Sequence, residues 1–194
     1  NQSVALDIIE KYNVDDRRDR NIITIDPTHS KDFDDGSITS GGWGSFWTGT
    51  TTTENWGEWE IFGGDVASVS NFDVSIFTNY ATESWLVSPI MDLTGVTAPI
   101  LTFDNVVQFS GAALELLVST DYDGSSDPTS QGTWTNITGA VPNWDFDSGD
   151  WNFVSSGNVD LSSYISPSTY IAFKYTGTNL DGATWELDNI IVQE

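Results

Sequence analysis

No cysteine occurs in the 194 residues, which removes disulfide frameworks, thiolate metal sites and cysteine nucleophiles together. Histidine is almost as scarce: His29 stands alone in PTHSKD. The chain has no G-x-S-x-G elbow beside which that imidazole could act and no P-loop, so Ser-His-Asp hydrolysis and phosphate transfer have no motif to rest on. Zinc and copper lack ligands for the same reason.

Positive charge is the next shortage. Six Lys and Arg face 29 Asp and Glu, a net charge of -23. Such a surface repels phosphate backbones and anionic membranes, so nucleic acid is excluded as a partner. The excess acid implies solubility in screened, salty surroundings, or carboxylates that hold divalent cations. No run approaches the roughly 18 apolar residues of a membrane helix, and direct membrane insertion is not expected. The sequence opens on Asn1 rather than Met and reads as a mature or excised fragment, without a targeting segment.

What is present points to β structure. The chain is 38% hydrophobic and 13% aromatic, with 17 Gly and nine Trp, too apolar for disorder and too Gly-rich for a helical bundle. Five of the six basic residues lie at or before Lys31. Residues 1–28, including SVALDIIEKYN with Val4, Ile8 and Ile9 near helical spacing, therefore form an N-terminal lead-in or linker. Residues 29–194 form one domain, a size that buries a single substantial core.

Within that domain, alternating runs separated by turn residues predict strands over 59–62, 85–88, 100–109, 114–120, 134–137, 170–175 and 185–192. The trios Ile171, Phe173, Tyr175 and Leu114, Leu116, Val118 should face the core. Asp-Gly pairs at 35–36, 123–124 and 181–182 mark turns by tolerating positive φ. The Gly- and Thr-rich stretch 40–57, with three Trp, reads as a long surface loop.

The motif order resembles the choice-of-anchor J family, the cleaved adhesin domains and, more distantly, MAM domains. The resemblance rests on KDFDDG at 31–36, GGW at 41–43, WLVSPIMDLTG at 85–95, PILTF at 99–103, LELLVSTDYDG at 114–124, TW at 133–134, VDLSSYI at 159–165, YIAFKYTG at 170–177 and WELDNIIV at 185–192. It implies an all-β fold, a two-sheet antiparallel β-sandwich of jelly-roll type, in a noncatalytic module that binds glycans or proteins. It also implies a secreted or outer cell-surface setting, many such modules coming from Bacteroidota. A structural calcium is implied between the early acidic motif and the late aspartate, at Asp34 and Asp188. Asp34 stands where the family pattern usually has Glu.

Calcium takes six to eight oxygen ligands, which acid-rich turns supply. Asp32 and Asp34 of DFDDG could share a side and be joined by Asp188, or be solvated turn acids. The second acid-rich stretch, DYDGSSD at 121–127, lacks the spacing and terminal Glu of an EF-hand and reads as an Asx-rich turn.

The tryptophans divide by setting. Trp43, Trp59, Trp85, Trp134, Trp151 and Trp185 fall in strands or family motifs and read as core. Trp47, Trp56 and Trp144 lie in polar loops with few aliphatic neighbours, where an indole is either a lid on the core or a platform for a sugar ring. VPNWDFDSGDW at 141–151 sets Asp145 and Asp147 beside Trp144, combining a ring face with hydroxyl acceptors. These loops contain no Lys or Arg, which favours a neutral polysaccharide over an anionic one unless calcium bridges.

The leading expectation is a noncatalytic carbohydrate-binding module, monomeric when isolated. Its ligand would be a neutral polysaccharide such as the β-1,3-glucan laminarin, held by Trp47, Trp56, Trp144, Asp145 and Asp147. The alternative is an adhesion or spacer domain making protein contacts. A glycan-degrading enzyme would need two facing carboxylates of unequal pKa, and no pair is marked as special.

Overall fold

The computed structural model describes residues 29–50, 55–147 and 149–194; the lead-in expected over 1–28 lies outside them. The described residues form fourteen strands and three short 3-10 turns, and every strand pairing is antiparallel. In chain order the strands begin β1 (His29–Lys31), β2 (Gly44–Gly49), β3 (Glu60–Phe62), β4 (Val66–Val69), β5 (Phe72–Asp73), β6 (Thr78–Asn79) and β7 (Thr82–Val87). They continue β8 (Ile100–Gln108), β9 (Glu115–Ser119), β10 (Thr135–Asn136), β11 (Val154–Ser155), β12 (Val159–Asp160), β13 (Tyr170–Gly177) and β14 (Thr184–Gln193).

One sheet runs β11-β8-β14-β4-β3, with β1 added to β14 and β12 to β8; the other runs β10-β9-β13-β7-β2. Strands β5 and β6 make a separate hairpin. This is the expected two-sheet sandwich. The seven expected runs correspond to β3, β7, β8, β9, β10, β13 and β14.

The alternation dictates the core. Leu114 just before β9, Leu116 and Val118 on it, and Ile171, Phe173 and Tyr175 on its neighbour β13 are buried together with Phe103, Trp185 and Leu187 of the facing sheet. Phe103 meets Phe173 edge-on at 4.9 Å. The opposite side of β13 is covered too: Tyr170 and Ala172 pack with Trp85, Val87, Leu117 and Tyr122. Trp134 caps that second cluster, 5.5 Å from Trp85 and 5.2 Å from Tyr122.

Two turn-and-loop expectations are corrected. The stretch 40–57 is not all loop, because residues 44–49 form β2 and pair along β7 from Gly44↔Val87 to Gly49↔Thr82. As an edge strand, β2 tolerates the Gly and Thr that weaken an interior strand. At Asp181-Gly182 the glycine is demanded by close approach rather than by positive φ, since a methyl group there would overlap the side chain of Asn71. Gly36 and Gly124, by contrast, sit at φ +67 and +80, as their turns require.

Asn71 knits together one end of the sandwich. Its side-chain amide donates to the carbonyls of Tyr80, Thr178 and Asp181 at 2.8, 2.9 and 3.2 Å. The hairpin loop and the β13–β14 loop thereby become one wall.

Candidate functional site

The expected glycan-contact residues separate into two groups. Trp47, on edge strand β2, is half-buried, and its indole N–H donates to the Trp56 carbonyl at 3.1 Å. That bond holds the turn carrying Trp56 against the sheet edge. The turn is tightened by the Glu58 backbone N–H to the Asn55 carbonyl and by the Asn55 amide to the Glu58 carboxylate, each 3.0 Å.

Beyond the turn lies a polar hollow of about 200 Å³ lined by Asn55, Trp56, Glu58, Trp59 and Ser70 among others. Trp59 is only 3% exposed, and its indole N–H is buried without a hydrogen-bond partner among the described residues. Trp56 itself is half-buried, like Trp47. Trp47 and Trp56 are thus brought together at one edge.

Trp144 and Asp145 are committed elsewhere, a correction to the expectation that they face ligand. The Trp144 indole packs against the core, 5.4 Å from Phe103 and 5.6 Å from Trp185, and donates its N–H to the Thr138 carbonyl at 3.1 Å. Asp145 is buried; its carboxylate accepts the Val107 N–H at 2.9 Å, and its own N–H donates to Asn105 Oδ1 at 2.8 Å. Local polarity misled here, because a loop that folds back over β8 buries residues which its composition would leave in water. Asp147, two residues on, is exposed.

Trp151 shows the converse. Expected in the core, it is 48% exposed and meets the exposed Phe109 ring at 6.5 Å. Its position at the end of DFDSGD, a run without aliphatic residues, was the signal that could have found it.

Asp34 and Asp188 lie within mutual electrostatic reach on the outer side of the β8–β14 pair. Burial, followed by repulsion from Asp104, Asp34 and Asp32, pushes the Asp188 carboxyl up, against the hydrogen bond from the Asn189 backbone. Asp188 and Asp104 are direct cross-strand partners, and Asn189 spans them with 3.0 Å bonds to both carboxylates. A β-bulge between Asp188 and Ile191 lets Asn189 adopt φ 49. Among the described residues no group of three or more His, Asp or Glu side chains is set to hold a metal ion. The residues present therefore do not make a finished calcium cage.

The acids of 121–127 satisfy their own turn. Asp123 accepts the backbone N–H groups of Ser125 and Ser126 and the Ser126 hydroxyl at 2.6 to 2.9 Å. Those bonds, the Ser126 hydroxyl first, hold its carboxyl down to about 2. The lone His29 sits in β1 opposite Val192, its pKa lowered by burial.

Residues 89–194, just over half of the chain, match the model of a family described as Domain of unknown function (DUF5017). No curated protein matches the chain. Among solved structures, the K3 cleaved adhesin domain of Lys-gingipain from Porphyromonas gingivalis w83 is similar at TM-score 0.51 and 19% identity, over 86% of this chain and 97% of that one. The K1 cleaved adhesin domain of the same protein is similar at 0.48 and 17% identity, over 85% and 96%. The CBM22-1 xylan-binding domain of Paenibacillus barcinonensis Xyn10C is similar at 0.40 and 14% identity, over 87% and 94%. What is shared with the K3 domain at this level is the sandwich fold.

Proposed function

This chain belongs to the DUF5017 family, and we propose that it is a noncatalytic carbohydrate-binding module of a secreted or cell-surface protein that takes a neutral polysaccharide. The observation that carries the reading is the hollow at Trp56. The partly exposed Trp56 indole stands beside a polar-lined cavity to which Asn55, Glu58 and Ser70 also contribute. An aromatic face for the apolar side of a pyranose, with fixed polar groups around it, is the chemistry that sugar recognition needs.

The charge distribution supports a neutral ligand. Lys31 and Lys174, the only basic residues from 29 onward, are paired with Asp35 and with Glu83 and Glu115. Among the described residues no basic group is left at the hollow to receive a sulfate or uronate. A β-1,3-glucan such as laminarin is the ligand we propose to test first, with Trp56 as the stacking ring and Trp47 as the residue that positions it. Calcium at Asp34 and Asp188 is proposed as a separate stabilising ion, supported by the mutual repulsion of the carboxylates there; binding of the sugar does not depend on it.

Affinity electrophoresis tests the reading. The purified chain is run through gels containing laminarin, mixed-linkage glucan, xylan, mannan or alginate, and retardation is expected with a neutral glucan and lost in Trp56→Ala. Free migration in every gel would leave the adhesion or spacer role in its place.

A further inference from the structure

We propose that an aromatic cleft at the Asn71 end of the sandwich is a second sugar subsite, seating a neutral pyranose ring between Phe109 and Leu180. The proposal rests on the glycan-binding reading and names a second contact surface for it. The cleft measures about 350 Å³ and is walled by Phe72, Asn79, Phe109, Ser110, Leu180 and Asp181. That volume falls within the range of small-ligand pockets. It is mostly apolar, unlike the hollow at Trp56.

The walls come from three separate segments: the β5–β6 hairpin, the turn after β8 and the β13–β14 loop. Asn71 ties the first of these to the third through its bonds to Tyr80, Thr178 and Asp181. The cleft is therefore preformed.

Its apolar side chains are presented to solvent rather than hidden. Phe109 is 62% exposed, Phe77 78% and Leu180 91%. The rings continue outward on both sides, Phe72 to Phe77 at 6.1 Å and Phe109 to Trp151 at 6.5 Å. Phe77 and Phe109 hold left-handed backbones at φ 55 and 69, a conformation unfavourable for bulky side chains. Strain of this kind clusters at ligand-contact sites, where the surrounding structure enforces it. Folding alone gives no reason for two strained aromatics to face water.

The polar groups identify the ligand class. Asn79 lines the same wall, and its side-chain amide is a hydrogen-bonding group of the kind that meets sugar hydroxyls. Ser110 and the Asp181 carboxylate add further hydroxyl-binding groups at the rim. A second copy of the chain is opposed by the net charge of -23. Among the described residues no cation is free to meet an anionic polymer here, because Lys31 and Lys174 are engaged in ion pairs elsewhere. A neutral sugar, with one apolar ring face and hydroxyls around its edge, answers both the rings and the acceptors.

The test uses the full chain with Phe109→Gly, Leu180→Ala and Trp56→Ala. Glycine removes the ring at 109 and suits a left-handed φ, and Leu180 is exposed, so both cleft variants keep the fold; thermal melting checks this. Binding to the glucan that retards the wild type, and amide shifts on titration with its trisaccharide, are measured. Each cleft variant is expected to weaken binding about tenfold, the loss of one stacking contact at Phe109 or one apolar contact at Leu180, and the trisaccharide is expected to shift the Ser110 and Gly182 amides. Wild-type affinity in both cleft variants, with loss only in Trp56→Ala, overturns the subsite while the glycan reading survives. Wild-type failure on every polysaccharide overturns that reading and the subsite with it. Leu180-dependent binding of an apolar, cationic peptide without glycan retention would reassign the cleft to a polypeptide.

Discussion

The Tyr175 hydroxyl lies 3.0 Å from Asn71 Oδ1 and 2.8 Å from the Ala183 carbonyl, and it accepts the Asn71 backbone N–H at 3.3 Å. A residue from the core face of β13 thus anchors the asparagine that joins two loops more than 100 residues apart in sequence. Burial raises the tyrosine pKa far above its usual value, so the hydroxyl stays protonated and can donate.

Loss of that junction should be felt globally. Asn71→Ala strands three loop carbonyls and should cost about 3 kcal/mol, with Tyr175→Phe costing roughly 1 to 2 kcal/mol. Urea denaturation measures both, and the aromatic cleft should lose its ligand in Asn71→Ala before the sandwich itself unfolds.

Trp144 and Asp145 should behave as core residues. Trp144→Ala should destabilise the fold by about 3 kcal/mol. Asp145→Ala, which leaves the buried Val107 N–H unpaired, should cost roughly 1 to 3 kcal/mol. Neither should change polysaccharide affinity under conditions where the variant remains folded; gel retardation beside a melting curve checks this.

Trp56→Ala should do the reverse. Its partly exposed indole belongs to neither core cluster, so stability should change by only about 1 kcal/mol. Glucan binding should weaken about tenfold, read by gel retardation or calorimetry.

At Asp188 the folded-state pKa is raised, by burial first and then by the neighbouring acids. Ionisation therefore opposes folding: the penalty is absent below the unfolded carboxylate range and grows as pH rises through the folded value. With chelator present, Asp188→Asn should melt above wild type at neutral pH, and the difference should close on acidification. Added calcium should raise the wild-type melting temperature and leave Asp188→Asn unmoved. No calcium effect on the wild type would take Asp34 and Asp188 out of the metal proposal.

Asp35 has the opposite sign. The Ser40 hydroxyl first, and then Lys31 at 2.9 Å, hold its carboxyl down to about 2. Its contribution is complete above the unfolded carboxylate range and is lost as pH falls toward 2. Asp35→Asn should be less stable than wild type at pH 7, with the gap vanishing near about pH 2; denaturation across that span measures it.

Fold class, most strands and the core trios were legible because burial on one face of a strand writes period-two alternation into the chain. β2 was not, since an edge strand packs on few neighbours and tolerates the Gly and Thr of a loop. The tryptophans were sorted in part. Trp43, Trp59, Trp85 and Trp185 are buried as expected and Trp134 caps the outer cluster, whereas Trp144 and Trp151 exchanged places.

The sequence by itself determined the all-β sandwich, the core faces of β9 and β13, and the acidic surface with almost no cations, because composition and periodicity are local quantities. Only the tertiary structure decided which polar-loop aromatics meet water. Trp144 lies under a loop held by Asp145 to β8, while Phe72, Phe109 and Leu180, from three separate segments, meet around one cleft. Exposure there depends on how distant loops close over the end of the sandwich, and no local pattern in the chain encodes that closure.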